Sequence, residues 1–259
     1  MIDLFLFENE APQAKHAMAH GIRHFLLDWE IVDKAERQKG FDTEIRPGTV
    51  DDLCALTAVP GGTTWCRINR YGLQTAREID AAVAAGAEGL FLPMVTSLSE
   101  VEDFLRLVGA RCATGIMVET VEAYAMARDL ASLPLQRVYF GLNDFAISRG
   151  GGSIFRAVLD GSVERMREIF REQAFGFGGM TAIEAGDPLP ARLLLEEMAR
   201  LHCNYTFLRR SFRRDTRACC PGEVVAGIQA AWQRCRKRDA ETIRRDRQIL
   251  ETRLHELCR

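Results

Sequence analysis

Eight short apolar runs, separated by segments of helical periodicity, recur along this chain and leave few folds open to it. They are IDLFLF (2–7), HFLLDWE (24–30), TTWCRIN (63–69), GLFLPMV (89–95), TGIMVET (114–120), RVYFGLND (137–144), AFGFGGM (174–180) and YTFLRRSF (205–212). Strands this apolar need cover on both faces, which crossover helices of a parallel sheet provide. Between them, 76–86, 97–109 and 121–133 have helical spacing. Ser97 and Glu100 match a capping box, and Gly109 supplies a stop. Strand–helix alternation repeated eight times predicts an α/β protein, a closed (β/α)8 TIM barrel. A doubly wound open sheet would carry a glycine-rich first turn, whereas the turn after Phe7 reads ENEAPQ.

The length of 259 residues suits one such barrel, for which about 250 residues are typical. Residues 1–220 are expected to form the barrel and 221–259 a helical extension. In the tail, Ile243, Leu250, Leu254 and Leu257 fall near one face among arginines. That narrow seam suits a helix packed on its own barrel or, the reading favoured by its arginine-rich remainder, one docked on a neighbouring subunit, and hence a homo-oligomer, trimer or hexamer. The connection 145–173 is unusually long and contains Gly150, Gly151 and Gly152. Connections of that length in compact domains tend to be functional.

Composition excludes several classes of partner. A net charge of −2 gives no general attraction to nucleic acid or to a membrane surface. No stretch reaches the ~18 consecutive apolar residues of a membrane span, and no leader is legible, so a cytoplasmic protein is expected. The eight cysteines include no CxxC pair, which fits reduced thiols. Two basic stretches stand out. Lys34, Arg37, Lys39 and Arg46 follow the second run, and Arg209, Arg210, Arg213 and Arg214 follow the eighth. The second cluster suits a phosphorylated or polyanionic substrate, or pairing with acidic neighbours such as Asp215 and Glu184.

Chemistry in a barrel belongs at the C-terminal ends of its strands. The polar residues expected there are Asp28, Glu30, Arg67, Asn69, Glu119 and Asp144. Glu119 and Asp144, on adjacent strands, are placed to converge on one ion. Two oxygen donors without nearby His or Cys suit Mg2+ or Mn2+, with water and substrate completing the shell. Arg67 would offer its fork to a carboxylate. The alternatives are structural: Glu119 favouring the next helix N-terminus, and Arg67 tying down Asp28.

In order and spacing, FLLDWE (25–30), WCRIN (65–69), DAAVAAGAEGLFLPMV (80–95), GIMVETVEAYAMARDLA (115–131) and GLNDFAISRG (141–150) resemble the HpcH/HpaI aldolase and citrate lyase beta-subunit family. The resemblance implies a phosphoenolpyruvate-binding type of barrel and a metal-dependent carbon–carbon lyase acting on a 2-oxo acid or related acyl substrate. It implies Glu119 and Asp144 as ligands of Mg2+ or Mn2+. It further implies Arg67 as a substrate contact and catalytic group; Gly141 and Asp144 are further candidate substrate contacts, and Asp28 and Glu30 further candidate catalytic groups. Arg67 would stabilise the enolate left by bond cleavage beside the metal.

Two departures from that pattern bear on mechanism. Glu30 is followed by Ile31, where the aldolase branch carries a histidine base. Proton transfer would then fall to Glu30, Asp28, a metal-bound water or a substrate group. Met94 stands where the citrate-lyase branch has lysine, which argues against acyl-CoA chemistry. An oxo-acid decarboxylase or hydrolase with the same metal site, or a non-catalytic oxo-acid-binding barrel, are the alternative functions.

Overall fold

A computed structural model describes residues 1–31, 47–209, 211–216 and 220–258. The basic stretch Lys34, Arg37, Lys39 and Arg46, together with Arg210, lies outside the described residues. Eight parallel strands close in sequence order into a barrel: β1 (Asp3–Phe7), β2 (His24–Asp28), β3 (Thr63–Arg67), β4 (Gly89–Leu92), β5 (Ala113–Val118), β6 (Arg137–Phe140), β7 (Ala174–Phe177) and β8 (Tyr205–Phe207). The pleat turns alternate residues inward. Phe5, Leu26, Trp65, Phe91, Met117, Tyr139, Tyr205 and Phe207 fill the barrel, while the other apolar residues of each strand meet the helices. At the N-terminal end Arg137 closes this interior, its guanidinium 4.9 Å from the Tyr205 ring centre and 5.3 Å from that of Trp65.

Helices α1 (Ala11–Ala19), α2 (Val50–Thr57), α3 (Thr75–Ala84) and α4 (Leu98–Val108) follow the first four strands. The Ser97–Glu100 capping box forms as the spacing predicts, and Gly109, at φ 58°, ends α4. The expected helix over 121–133 is instead two pieces, α5 (Val121–Ala125) and α6 (Ala127–Ala131), because Met126 leaves helical geometry at ψ 15°.

All eight predicted strands exist; the first ends at Phe7 as expected, and the other seven end before the predicted residue. Pairing stops where each strand feeds a loop at the mouth. The largest consequence falls at the sixth, where β6 ends at Phe140 and helix α7 (Leu142–Ser148) begins at once. Asp144 therefore sits in the first turn of a helix rather than at a strand end. A carboxylate is favoured there by the helix dipole. Two further short helices, α8 (Arg156–Leu159) and α9 (Ser162–Ile169), occupy the long connection before β7.

After β7 come α10 (Ala191–Arg200), then β8, α11 (Phe212–Asp215), α12 (Pro221–Cys235) and α13 (Ala240–Leu257). Both tail helices pack on α10, and α13 also meets α8. Leu250 and Leu254 are buried in the chain's own core, so this part of the seam packs on its own barrel. Each such leucine contributes about 1.5–3 kcal/mol by leaving water, so the barrel itself is reason enough for the seam. Around it, Glu197, almost fully buried, is gripped by Arg200 at 2.8 Å and by Arg247.

Candidate functional site

At the barrel mouth the β2–β3 register sets Asp28 beside Arg67. Asp28 accepts from Arg67 through both oxygens, at 2.9 Å from Nε and 2.6 Å from Nη2. Glu30 adds an ion pair at 3.3 Å to Nη1. All three side chains are buried. Burial works against the charge on Arg67, but Asp28 and Glu30 outweigh it and hold the guanidinium above its ordinary pKa. Phe7 lies 5.3 Å from that guanidinium, so the fork is fixed in plane before any ligand arrives.

Arg67, Glu119, Gly141 and Asp144 line one cavity of about 1080 Å³. The sequence-predicted metal and substrate residues thus come together. Asp28 and Glu30 do not line that cavity; they stand behind Arg67 and position it. None of the five histidines lines the cavity either.

Glu119 is the most heavily desolvated carboxylate of the group, 1% exposed. Its Oε1 accepts from the Met94 N–H at 3.0 Å, and Met94 adopts a left-handed φ of 51° to deliver it. Its other oxygen lies under Gly141, where an added Cβ would come within 2.4 Å of Oε2. Only glycine fits between that carboxylate and the start of α7. Burial, then the charges of Asp144 and Glu30, raises the Glu119 carboxyl to about 8, against the pull of Arg67 and the Met94 N–H.

Among the described residues no three His, Cys, Asp or Glu side chains gather in metal-ligand geometry. Zinc, which wants three or four protein ligands, is poorly served. Mg2+ and Mn2+ fit better, since one or two carboxylates plus water and ligand oxygens complete their shells. The crowding of Glu119 with Asp144 and Glu30 is what a divalent cation would relieve, and the Gly141 gap keeps Glu119 Oε2 clear. Glu119 and Asp144 are the residues that would hold it.

Two groups at the mouth were not singled out from sequence. Glu8 follows β1, accepts from the Asn9 and Glu10 N–H groups at 2.8 Å each, and pairs with Arg213. Tyr139 lies on the cavity wall, donates to the Gly178 carbonyl and stacks on Phe207 at 3.7 Å between ring centres. The strand-end rule, applied to β1 as it was to β2, would have found Glu8.

No family model and no curated protein matches this chain. Solved structures do. An HpcH/HpaI aldolase from Desulfitobacterium hafniense DCB-2 aligns over 88% of this chain and 91% of its own, with a TM-score of 0.64 at 15% identity. Protein CitE from Mycobacterium tuberculosis, solved in complex with magnesium and pyruvate, aligns over 100% and 98% with a TM-score of 0.61 at 18% identity. The 3-hexulose-6-phosphate synthase from Salmonella typhimurium aligns over 90% and 100%, with a TM-score of 0.62 at 14% identity. What these proteins share with this chain is the barrel. At such identities the chemistry has to be argued from this chain's own residues.

Proposed function

We propose that this chain is a Mg2+- or Mn2+-dependent carbon–carbon lyase acting on a 2-oxo acid or a related acyl substrate. The observation that carries the reading is a single cavity holding Arg67, clamped by Asp28 and Glu30, together with Glu119 and Asp144. The likeness in fold to an HpcH/HpaI aldolase and to a CitE solved with magnesium and pyruvate supports it. When bound, the cation would supply Lewis-acid polarisation of the oxo group.

The protein's own residues do the rest. Arg67 meets the oxygen on which negative charge grows as the carbon–carbon bond breaks. Because Asp28 and Glu30 already orient it, little reorganisation is needed at that moment. Gly141 would leave backbone close to the bound acid, and the stacked Tyr139 and Phe207 rings line the same cavity. Full turnover is expected to vanish in EDTA and return with Mg2+. Calorimetric titration with oxalate, a planar mimic of the pyruvate enolate, should give Mg2+-dependent binding; binding indifferent to metal would sink the reading.

One observation favours a second reading within the same site. No histidine faces the cavity, and loss of carbon dioxide from an oxo acid needs no base to remove a hydroxyl proton. An oxaloacetate-type decarboxylase would use the same groups. Comparing turnover of oxaloacetate with that of 4-hydroxy-2-oxo acids separates the two. A cytoplasmic homo-oligomer, trimer or hexamer, belongs to the same proposal and is open to sedimentation analysis.

A further inference from the structure

Two arginines reach the cavity from inward-facing ends of barrel strands, and they are provided for very differently. Arg67, beyond Trp65 on β3, is neutralised by Asp28 and Glu30. Arg209 follows Tyr205 and Phe207 on the inward face of β8 and also lines the cavity. Its Nε donates to the Gly179 carbonyl at 2.9 Å, and among the described residues it makes no ion pair. The basic residues beside it are already engaged: Arg213 with Glu8, Arg214 with Asp215 at 3.3 Å. Asp215, whose charge is felt at Arg209, is held in turn by Ser211 and Thr181, each at 2.8 Å.

The stem of Arg209 is also fixed. The chain passes so close at Gly179 and Gly186 that added Cβ atoms would come within 2.8 Å of its Cγ and 3.2 Å of its Nη1. With Nε taken by a carbonyl, the two terminal amino groups form a pre-set fork that makes no ion pair among the described residues. A guanidinium withdrawn from water in this way favours an oxyanion partner. Arg209 shares its cavity with Arg67, Glu119 and Asp144, and the stacked Tyr139–Phe207 pair lines the same cavity.

We infer that Arg209 is a specificity-determining residue that binds a second oxyanion, carboxylate or phosphate, at the far end of the substrate. The substrate class is then a 2-oxo acid with an anionic distal group rather than a simple monocarboxylate. This rests on the proposed oxo-acid site for the near end, while the anion-binding property of Arg209 stands apart from it.

The test separates the two. With the Mg2+-loaded full chain, calorimetry compares five- to seven-carbon 2-oxo dicarboxylates with 2-oxo monocarboxylates of matching length. A 2-oxo-4-phosphonobutanoate arm distinguishes phosphate from carboxylate. The best dicarboxylate or the phosphonate should bind about tenfold or more tightly than its neutral-ended counterpart, as a charge-assisted bidentate pair allows. Arg209→Gln should erase that ratio, and Arg209→Lys should keep part of it. Melting curves establish that each variant is folded. Equal affinities in the wild-type protein, or a ratio that survives in Arg209→Gln, would overturn the inference. In EDTA, inorganic phosphate should bind the wild-type protein and lose that binding in Arg209→Gln. If phosphate does so while oxalate shows no Mg2+ dependence, the oxo-acid reading falls and the anion site stands. If phosphate binding ignores Arg209, the anion site falls.

Discussion

Arg67 meets two carboxylates before it meets any ligand, and this shapes what substitution there should do. Lysine would keep the charge but lose the planar fork that satisfies both Asp28 oxygens. Arg67→Lys is expected to lower kcat about a hundredfold with a smaller change in KM, measured as metal-dependent turnover of an oxo acid. An unaltered kcat would remove Arg67 from the reaction. Glu119 makes a claim about pH. A carboxyl raised to about 8 in the folded state holds its proton where the unfolded chain has lost it. Its contribution is therefore present below the ordinary glutamate range and is lost as pH rises through about 8. Metal-free protein should become less stable from pH 5 to pH 8, a trend that Glu119→Gln flattens. Metal binding below that point should release a proton, which calorimetry in buffers of different ionisation enthalpy would detect.

At the scale of elements, the eight strands were legible because parallel strands covered on both sides have to be apolar runs. Capping was legible for the same local reason, and Ser97→Ala should cost about 1 kcal/mol of stability in urea unfolding. Strand ends were less so. GLND continues an apolar run in sequence, yet the chain turns into α7 at Gly141, because the backbone must leave the sheet above Glu119. Gly141→Ala is expected to weaken Mg2+ binding at least about tenfold by driving a methyl group into the Glu119 carboxylate, a displacement that alters metal-ligand geometry. Unchanged affinity would mean that the carboxylate moves aside freely. The site itself was half legible. Glu119, Asp144 and Arg67 announced themselves as polar residues after apolar strands. Arg67 tying down Asp28 was one of the sequence readings; that Glu30 joins the clamp, and that Arg209 alone of its described basic cluster makes no ion pair, are tertiary facts that no spacing encodes.

At the scale of the whole molecule, the tail packs on its own barrel. Its seam is spent on α10 and α8, and Arg247 joins Arg200 on the buried Glu197. Removing one member of such a group leaves buried charge uncompensated, so Glu197→Gln should destabilise the chain by about 3 kcal/mol. Deleting residues 240–259 should lower the melting temperature without changing the association state. A change of sedimentation coefficient beyond that of the lost mass would return the tail to a role between subunits. Among the described residues no helix is long and apolar enough to cross a membrane. The most direct test is Mn2+ binding followed by electron paramagnetic resonance in the wild-type, Glu119→Gln and Asp144→Asn proteins. A single ion per chain, weakened at least about tenfold in each variant, is the expected result. Wild-type affinity in both variants would contradict a shared metal site at these two carboxylates.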